Sequence, residues 1–421
     1  MRRSLIAGRL PGSEIGGYGM IATAVRRLVL AALLAAPVPG FAAAQYDVTI
    51  VPMPAPAPGA TTPLIANIFT VVGNDGTVVG FHHQWDRAVS GDNGYTPAIY
   101  SGGKLTPITH TLGGPTVAVY GINASGHFVG TSDLASGHRH AFLYANGALK
   151  DLGAMGHSDS VALAVNDQDD VAGTVSDSAS LWSGRAFLVH NGEMKDLNDV
   201  IARNPALFKG EAYTLTEAAA INNKGHLVLA AHSASGTYGL LLFADGTLSE
   251  PDPAFQSTHK LVEIGRLTDD DSFIANAFDD DHQHMHAYVY SAGRFQPLGS
   301  LGGGFSEAFG INADGAAVGG SNHRAFLAQD GAIADLNTRV DPANLMVQGR
   351  RYVLGPAMSI NDDGVIVGNA GVEGAQHSAI FILTPRRHHW LWWIGGLIVL
   401  AAGGYLFYRT RRHPAPSATA M

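Results

Sequence analysis

The sequence predicts an all-β protein, a seven-bladed β-propeller closed by its N-terminal strand, with one C-terminal transmembrane helix. Three observations lead to this prediction. A motif that ends in an N-x-x-G turn, or in a variant of that turn, recurs seven times, each copy contains short strand-like runs, and the last copy lacks a strand that the start of the chain can supply. A period of 40 to 50 residues with strand content is typical of propeller blades or of a β-solenoid.

The copies align on the turn that joins their first two strands. The aligned positions are 43 to 56 residues apart, about 48 on average. They are Gly73, Asn123, Asn166, Asn222, Thr268, Asn312 and Asn361. Asn bonds to its own backbone two residues on, and the Gly that follows supplies the positive φ that a short hairpin requires. Each copy therefore begins with a β-hairpin, and copies one and five carry Gly or Thr in place of Asn.

The second half of each copy predicts two more strands. The third strand is visible as HAFLY (140–144), RAFLV (185–189), HAYVY (286–290), RAFLA (324–328) and SAIFI (378–382). The fourth is visible as ALKDL (148–152), EMKDL (193–197), RFQPL (294–298) and AIADL (332–336). One four-stranded blade cannot bury both of its faces alone, so stacked copies must form the core and each must repeat the same packing residues.

Two features favour a closed ring. Small residues alternate on one face of the first strand, as at Ala162 and Ala164, and strands crowded around a central axis need small residues there. The seventh copy stops after its third strand (378–385), while YDVTIVP (46–52) precedes the first copy. Pairing these two segments would remove two exposed sheet edges. The alternative is that 46–52 only caps an open array.

The N-terminal residues 1–44 are predicted to be a signal peptide, with Met20 as an alternative translation start. Arg26 and Arg27 precede the apolar run 28–36, prolines then break it, and Ala42 to Ala44 offer a cleavage site. A buried helix is the alternative interpretation of this run.

The C-terminal segment 390–408 is predicted to be a transmembrane helix. It contains no charged residue, is close to the ~20 residues that cross a bilayer, and carries Trp and Tyr at its edges. Residues 386–389 form a basic juxtamembrane linker and 409–421 a cytoplasmic tail. The expected protein is therefore a single-pass protein of the bacterial cell envelope, with its propeller (45–385) periplasmic or extracellular. A sorting tail that an envelope protease removes is the alternative.

The amino-acid composition excludes several kinds of site and partner. The chain has no cysteine, which excludes disulfides, zinc–thiolate sites and a cysteine nucleophile. Residues 45–385 contain 16 of the 26 Lys and Arg but 34 of the 35 Asp and Glu, a net charge of −18. Such a surface repels phosphate backbones, so nucleic acid is not an expected partner.

The motifs GINxxGxxVGxS, HAFLYxxGxxxDLG and SxAxxIN resemble those of the HAF-type extracellular repeat proteins of bacteria. The resemblance covers 60–385 and is best in copies two, three, six and seven. Segments 196–225 and 335–364 look like the closing module of that family, and FILTP (381–385) looks like its usual ending. The resemblance implies secretion and a propeller-like β architecture. It implies no established chemistry, and no catalytic residue is carried over.

The densest polar cluster suggests a metal site. His282, His284 and His286 alternate, so a strand would present all three on one face beside Asp281. Imidazole and carboxylate together bind divalent metals, the only cofactor that the sequence suggests. In the alternative interpretation, His284 and His286 are ordinary repeat positions, equivalent to His138 and His140, that pack or bond between blades.

The predicted function is that of a binding or scaffold module, with a protein or carbohydrate ligand on the loop face. Function usually resides in loops held by a rigid scaffold. The long insertions 198–217 and 337–357 are the first candidates for recognition, followed by GYTP (94–97) and the Asp/His loop. Neither a G-x-S-x-G elbow nor an H-E-x-x-H motif is present. The alternative function is a hydrolase or lyase acting on envelope polysaccharide or peptide, with the Asp/His cluster as its metal site.

Overall fold

The chain folds into seven antiparallel sheets that follow one another along the sequence, as the repeats predict. The structure is a computed structural model that describes residues 46–52, 64–65, 70–85, 95–177, 184–202, 204–278, 284–372 and 378–386. The predicted signal peptide (1–44) and transmembrane helix (390–408) lie outside these residues. Within the described residues, no helix has the length and apolar character that a membrane crossing needs.

Each blade contains the four-stranded sheet that the repeat predicts, with one additional short strand in blades 1 and 7. The chain begins with β1 (Tyr46–Pro52), and blade 1 follows with β2 (Leu64–Ile65), β3 (Thr70–Val72), β4 (Val78–Trp85), β5 (Tyr95–Ser101) and β6 (Lys104–Pro107). Blade 2 contains β7 (Gly113–Ile122), β8 (Phe128–Leu134), β9 (Arg139–Ala145) and β10 (Ala148–Gly153). Blade 3 contains β11 (Asp159–Val165), β12 (Val171–Ser176), β13 (Arg185–His190) and β14 (Glu193–Asp196). Blade 4 contains β15 (Tyr213–Ile221), β16 (Leu227–Ser233), β17 (Tyr238–Ala244) and β18 (Thr247–Ser249).

The remaining three blades repeat this pattern. Blade 5 contains β19 (Lys260–Leu267), β20 (Phe273–Phe278), β21 (Met285–Ser291) and β22 (Arg294–Pro297). Blade 6 contains β23 (Glu307–Ile311), β24 (Ala317–Ser321), β25 (Arg324–Gln329) and β26 (Ala332–Asp335). Blade 7 contains β28 (Arg350–Ile360), preceded by the short β27 (Met346–Val347), then β29 (Ile366–Val372) and β30 (Ser378–Pro385). The inner strand is the first long strand of each blade, β28 in blade 7, except that in blade 1 β2 and β3 both pair with β4 on its inner side. Blade 7 takes its fourth strand from the chain start.

The N-terminal strand closes the ring. β1 pairs antiparallel with β30 along its whole length, from Tyr46 opposite Pro385 to Pro52 opposite Ala379. The backbone N–H of Tyr46 also donates to the carbonyl oxygen of Arg339, at 3.0 Å, in the connection from blade 6 to blade 7. The predicted closure is confirmed, and the alternative of an open array is wrong.

A glycine on the second strand faces an aromatic ring on the third in most blades. Gly173 lies opposite Phe187 and Gly319 opposite Phe326, and both rings are fully buried. A Cβ on Gly319 would overlap the carbonyl oxygen of Glu307 on the inner strand, which bulges toward it. In blade 5 the equivalent position is Ala275. The F of the HAF motif is therefore the ring that fills the space above this glycine.

Small residues on the inner strands allow neighbouring blades to approach closely. A Cβ on Gly121 would lie 2.9 Å from the carbonyl oxygen of Leu163 in the next blade. A Cβ on Gly310 would lie 3.0 Å from the Cα of Ser359. The prediction that crowding around the axis selects small residues is confirmed.

The asparagines at the turn positions of five blades each bind that blade to the next. Their side-chain amides donate, over 2.9–3.2 Å, to the carbonyl oxygen of the equivalent residue in the following blade. The pairs are Asn123 to Asn166, Asn166 to Asn222, Asn222 to Thr268, Asn312 to Asn361 and Asn361 to Gly73. The side-chain oxygen meanwhile accepts from its own turn, as from the N–H of Val365 to Asn361 at 2.8 Å. The same residue therefore forms the turn and links the blades.

Short helices occupy the connections between blades. They are α1 (Leu197–Val200), α2 (Pro253–Gln256), and 3₁₀ turns at Leu207–Gly210, Leu336–Thr338 and Pro342–Leu345. Asn198 exchanges two 2.8 Å hydrogen bonds with the backbone of Leu215. Asn337 makes the equivalent bonds to Leu354. The two modules that look alike in sequence are therefore alike in structure.

Candidate functional site in the central channel

The inner strands surround a central cavity of about 450 Å³. Residues from the inner strand of every blade line it, because the repeats place these strands around one axis. The walls are mainly apolar, with Val119, Leu163, Ile264, Phe309 and Met358 among their residues. Ligand pockets of this size typically combine apolar walls with a few well-placed polar groups.

Three glutamates occupy one equivalent position in consecutive blades. Glu217, Glu263 and Glu307 each precede the turn position of their blade by five residues. The strand pairing confirms this equivalence, because they lie opposite Ala230, Asn276 and Gly320, which each follow the turn position by eight residues. Blades 4, 5 and 6 therefore carry an arc of carboxylates on one side of the ring, and Glu217 and Glu263 line the cavity.

Glu217 is the most perturbed group of the channel. Burial raises the pKa of this carboxyl from its ordinary value of 4.5 to about 6. Within the described part of the chain, no side chain or backbone group donates a hydrogen bond to it. The charge of Glu217 in turn adds to burial in raising the pKa of Tyr238 well above its ordinary value. Glu217 is thus a half-buried carboxylate that lines the cavity, and its raised pKa means that its charged form is destabilised in the folded protein.

The carboxylates of Glu263 and Glu307 have other surroundings than that of Glu217. The side-chain amide of Asn276 donates to Glu263 Oε2 at 3.2 Å and also to the carbonyl oxygen of Ala308 at 3.1 Å. This fixes Glu263 between blades 5 and 6. Burial raises the pKa of the Glu307 carboxyl, and the negative charge of Glu263 raises it further. The arc is thus electrostatically coupled between these two blades.

A second polar group rims the channel at its turn end. In five of the seven blades, the backbone N–H of the residue after the turn position donates to the side chain of the equivalent residue in the next blade, over 2.8–2.9 Å. The acceptors are Asp167, Asn223, Asp269, Asp362 and Asn74. Burial alone would raise the pKa of Asp362, but the Ala313 N–H, the Asn74 amide and Arg266 together lower it below its ordinary value.

The channel is therefore strongly acidic. The described residues that line it include five carboxylates, those of Asp167, Glu217, Glu263, Asp269 and Asp362, and one cation, Arg266. The nearest approach of Arg266 to Asp362 is 3.9 Å. Low-dielectric walls around charges of one sign concentrate their field and attract counter-ions. Such a channel can hold a positively charged group far better than an anion.

The structure describes only half of the predicted metal site. His282 and Asp281 lie outside the described residues. His284 is exposed just before β21, His286 is half-buried on it, and their ring centroids are 6.5 Å apart. Among the described residues, no three His, Asp or Glu side chains converge closely enough to hold a metal ion. The metal site stays a prediction.

The other interpretation of these histidines needs a correction. His140 was expected to pack or bond between blades, but its Nδ1 lies 3.0 Å from Asp151 on the fourth strand of its own blade. Arg185 and Asp196 form the same intrablade pair, and Arg324 lies 2.8 Å from Asp335. His138 does reach the next blade, with its Nδ1 3.4 Å from Asp159. The reason is that the residue before the A-F pair lies beside the fourth strand, whose DL motif provides the acid.

The candidate recognition loops are partly regular structure. The insertion 198–217 ends within β15, and 337–357 ends within β28. Leu207 and Leu345 are buried, so both connections pack onto the propeller. Of GYTP, Tyr95 to Pro97 begin strand β5, and Gly94 lies outside the described residues. Strand formation at this site follows from the β-branched and aromatic residues that continue to Ser101.

The glutamate arc is not apparent from the sequence alone. Its members are 46 and 44 residues apart and share no local motif, so each looks like an isolated charge. The signal was present in the alignment, since all three stand five residues before the turn position. Alternation along the inner strand does not by itself show which face meets the axis.

Solved structures to which this chain is similar share little sequence identity with it. No protein-family model matches the chain, and no curated protein matches it significantly. The β-propeller domain of the Trilobed protease from Pyrococcus furiosus is 11% identical, over 76% of this chain and 94% of that domain, with a TM-score of 0.49. A gluconolactonase from Xanthomonas campestris is also 11% identical, over 80% of this chain and all of that protein, with a TM-score of 0.38. The class defined here, a seven-bladed β-propeller, rests on the sheet topology.

Proposed function

We propose that this protein is a binding module of the bacterial cell envelope that admits its ligand into the central channel. The observation that carries the proposal is Glu217, a half-buried carboxylate that lines a cavity of ligand size and accepts no hydrogen bond from the described residues. Burial of its charge lowers the stability of the fold, so selection for stability alone would favour a neutral residue at this position. A bound ligand would give its charge a partner.

The remainder of the arrangement follows from the sequence. We propose that the helix predicted at 390–408 anchors the chain and that the propeller lies on the outer side of the membrane. The connections 198–217 and 337–357, on the face where the inner strands begin, are the proposed contact surface for a protein or carbohydrate partner. Digestion of intact and permeabilised cells with a protease tests this placement. An epitope at the C-terminus should be protected in intact cells while the propeller is not.

Native mass spectrometry of the purified full-length chain tests the binding role. Ala219 is half-buried and lines the channel, so Ala219→Trp should fill it. A small molecule that copurifies with the wild type and is lost from Ala219→Trp supports the proposal. A molecule retained by both proteins places binding elsewhere and contradicts it.

A hydrolase is the second candidate, because a carboxyl with a pKa of about 6 is suited to general acid catalysis near neutral pH. Glu263, which lines the same cavity, would be the second carboxylate. The assay measures release of reducing ends or peptide amines from envelope polysaccharide and peptide by the full-length protein. Turnover that Glu217→Gln abolishes would support the enzyme, and absence of turnover in the wild type would support the binding module.

A further inference from the structure

The contents of the channel define the chemistry of its ligand, on the assumption that the channel is the binding site proposed above. Acidic groups lie at two levels, the Glu217 and Glu263 carboxylates within the channel and the Asp167, Asp269 and Asp362 carboxylates at its turn end. Between these levels the wall is apolar, with Leu163, Ala219 and Phe309 among its residues. A ligand complementary to both parts has a cationic head and a hydrocarbon body.

The two levels differ in the availability of their oxygens. The three aspartates accept hydrogen bonds from backbone N–H groups of neighbouring blades, so their first role is to bind blades together. Glu217 accepts none from the described residues, and Glu263 is fixed by the single amide of Asn276. The free hydrogen-bonding capacity of the channel is therefore concentrated on the glutamates.

We propose that the channel binds an aliphatic amine, with the ammonium group on Glu217 and Glu263 and the hydrocarbon chain along the apolar wall. An ammonium group has three donors and no acceptor, which matches carboxylates that have unused lone pairs. The acidic turn end attracts the same cation and, for a diamine, lies in the direction of its second ammonium group. Two sources share this chemistry, a free diamine or polyamine and the lysine side chain of a partner protein.

Isothermal titration calorimetry on the full-length protein tests the proposal with 1,5-diaminopentane as the probe. 1,5-Pentanediol has the same length without charge, and the capped tripeptide Gly-Lys-Gly presents a lysine side chain. We expect the diamine or the lysine peptide to bind, and the diol to bind at least tenfold more weakly, because hydrogen bonds between charged groups are the strong ones. Tighter binding of the peptide identifies a protein source, and tighter binding of the diamine a free amine.

Glu217→Gln should weaken binding of the amine roughly tenfold or more, because it removes the charge and preserves the shape. Glu193→Gln is the matched control, since Glu193 is exposed on the outer strand β14 and should leave binding unchanged. Folding does not confound the comparison, because the neutral amide relieves the cost of burying a charge.

Equal binding of diol and diamine, no amine binding, or indifference to Glu217→Gln would each overturn the amine proposal. Calcium binding that Glu217→Gln removes, without any amine binding, would replace it with a metal site. These failures are separate from failure of the binding role. A neutral compound that copurifies with the wild type, is lost from Ala219→Trp and is retained by Glu217→Gln would support the binding role while it contradicts the amine proposal.

Discussion

The substitution Glu217→Gln should make the protein more stable at neutral pH. The fold raises the pKa of this carboxyl from 4.5 to about 6 because burial disfavours the charged form. Each pKa unit corresponds to about 1.4 kcal/mol, so the ionised wild type is destabilised by roughly 2 kcal/mol above pH 7. The neutral amide of Gln does not pay this cost.

The sign of the pH dependence follows from linkage. The folded protein binds the proton of Glu217 more tightly than the unfolded chain, so stability from this group is fully present below pH 4.5 and is lost as the pH rises through about 6. The advantage of Glu217→Gln should therefore be about 2 kcal/mol at pH 7.5 and under about 0.3 kcal/mol at pH 4. For a propeller of about 340 residues, 2 kcal/mol corresponds to roughly 3 °C in the melting midpoint.

Thermal unfolding of the full-length wild type, Glu217→Gln and Glu193→Gln at pH 7.5 and pH 4 measures this difference. Glu193→Gln should melt with the wild type at both values, because Glu193 is exposed on β14. A Glu217→Gln protein that is less stable than the wild type at pH 7.5 would refute the reasoning. So would an advantage of equal size at both pH values, since it could not arise from ionisation.

Three further predictions test the packing and the electrostatics. Gly319→Ala should lower the free energy of unfolding in urea by about 3 kcal/mol, because the added Cβ overlaps the Glu307 carbonyl oxygen. Ala275→Gly at the equivalent position of blade 5 should lower it by about 1 kcal/mol or less. Similar losses for the two variants would contradict the packing account. Asn361→Ala should cost about 2 kcal/mol in the same assay, since it removes the bond to the Gly73 carbonyl that joins the last blade to the first, and an unchanged midpoint would contradict that role. Glu307→Gln should stabilise the protein at pH 7.5, by less when Glu263 is already Gln, because part of its raised pKa comes from the charge of Glu263; equal effects in both backgrounds would contradict the coupling.

The sequence predicts the blades because the packing residues repeat with them. The pair formed by Gly173 and Phe187 recurs in other copies, and the turn asparagine recurs as well. A pattern visible within one copy therefore indicates how all the blades pack. The closure was also predictable. The seventh copy lacks a fourth strand, and residues 46–52 form a strand that belongs to no other copy, so pairing the two completes the last blade. The role of Asn361 between blades was not predictable, because turn formation alone already explained an asparagine at that position.

The candidate site was harder to locate because its residues meet only around the ring. His284 and His286 attract attention as neighbours in sequence, whereas Glu217 and Glu263 are separated by a whole repeat. Their shared position becomes visible only when copies four and five are aligned through Thr268, which departs from the consensus. Depth in the channel, which raises the pKa of Glu217, is a property of the assembled ring and not of any one repeat.

Cross-linking between the two ends of the propeller tests the central claim, that the chain start completes the last blade of a closed ring. Asp47 and Thr384 lie directly opposite each other on β1 and β30, both are exposed, and the chain has no native cysteine to interfere. The full-length Asp47→Cys, Thr384→Cys double variant should form a disulfide on mild oxidation. The Thr49→Cys, Thr384→Cys pair should not, because diagonal neighbours lie about 7–8 Å apart, beyond the reach of a disulfide. Equal cross-linking of both pairs, or of neither, would contradict the closed ring.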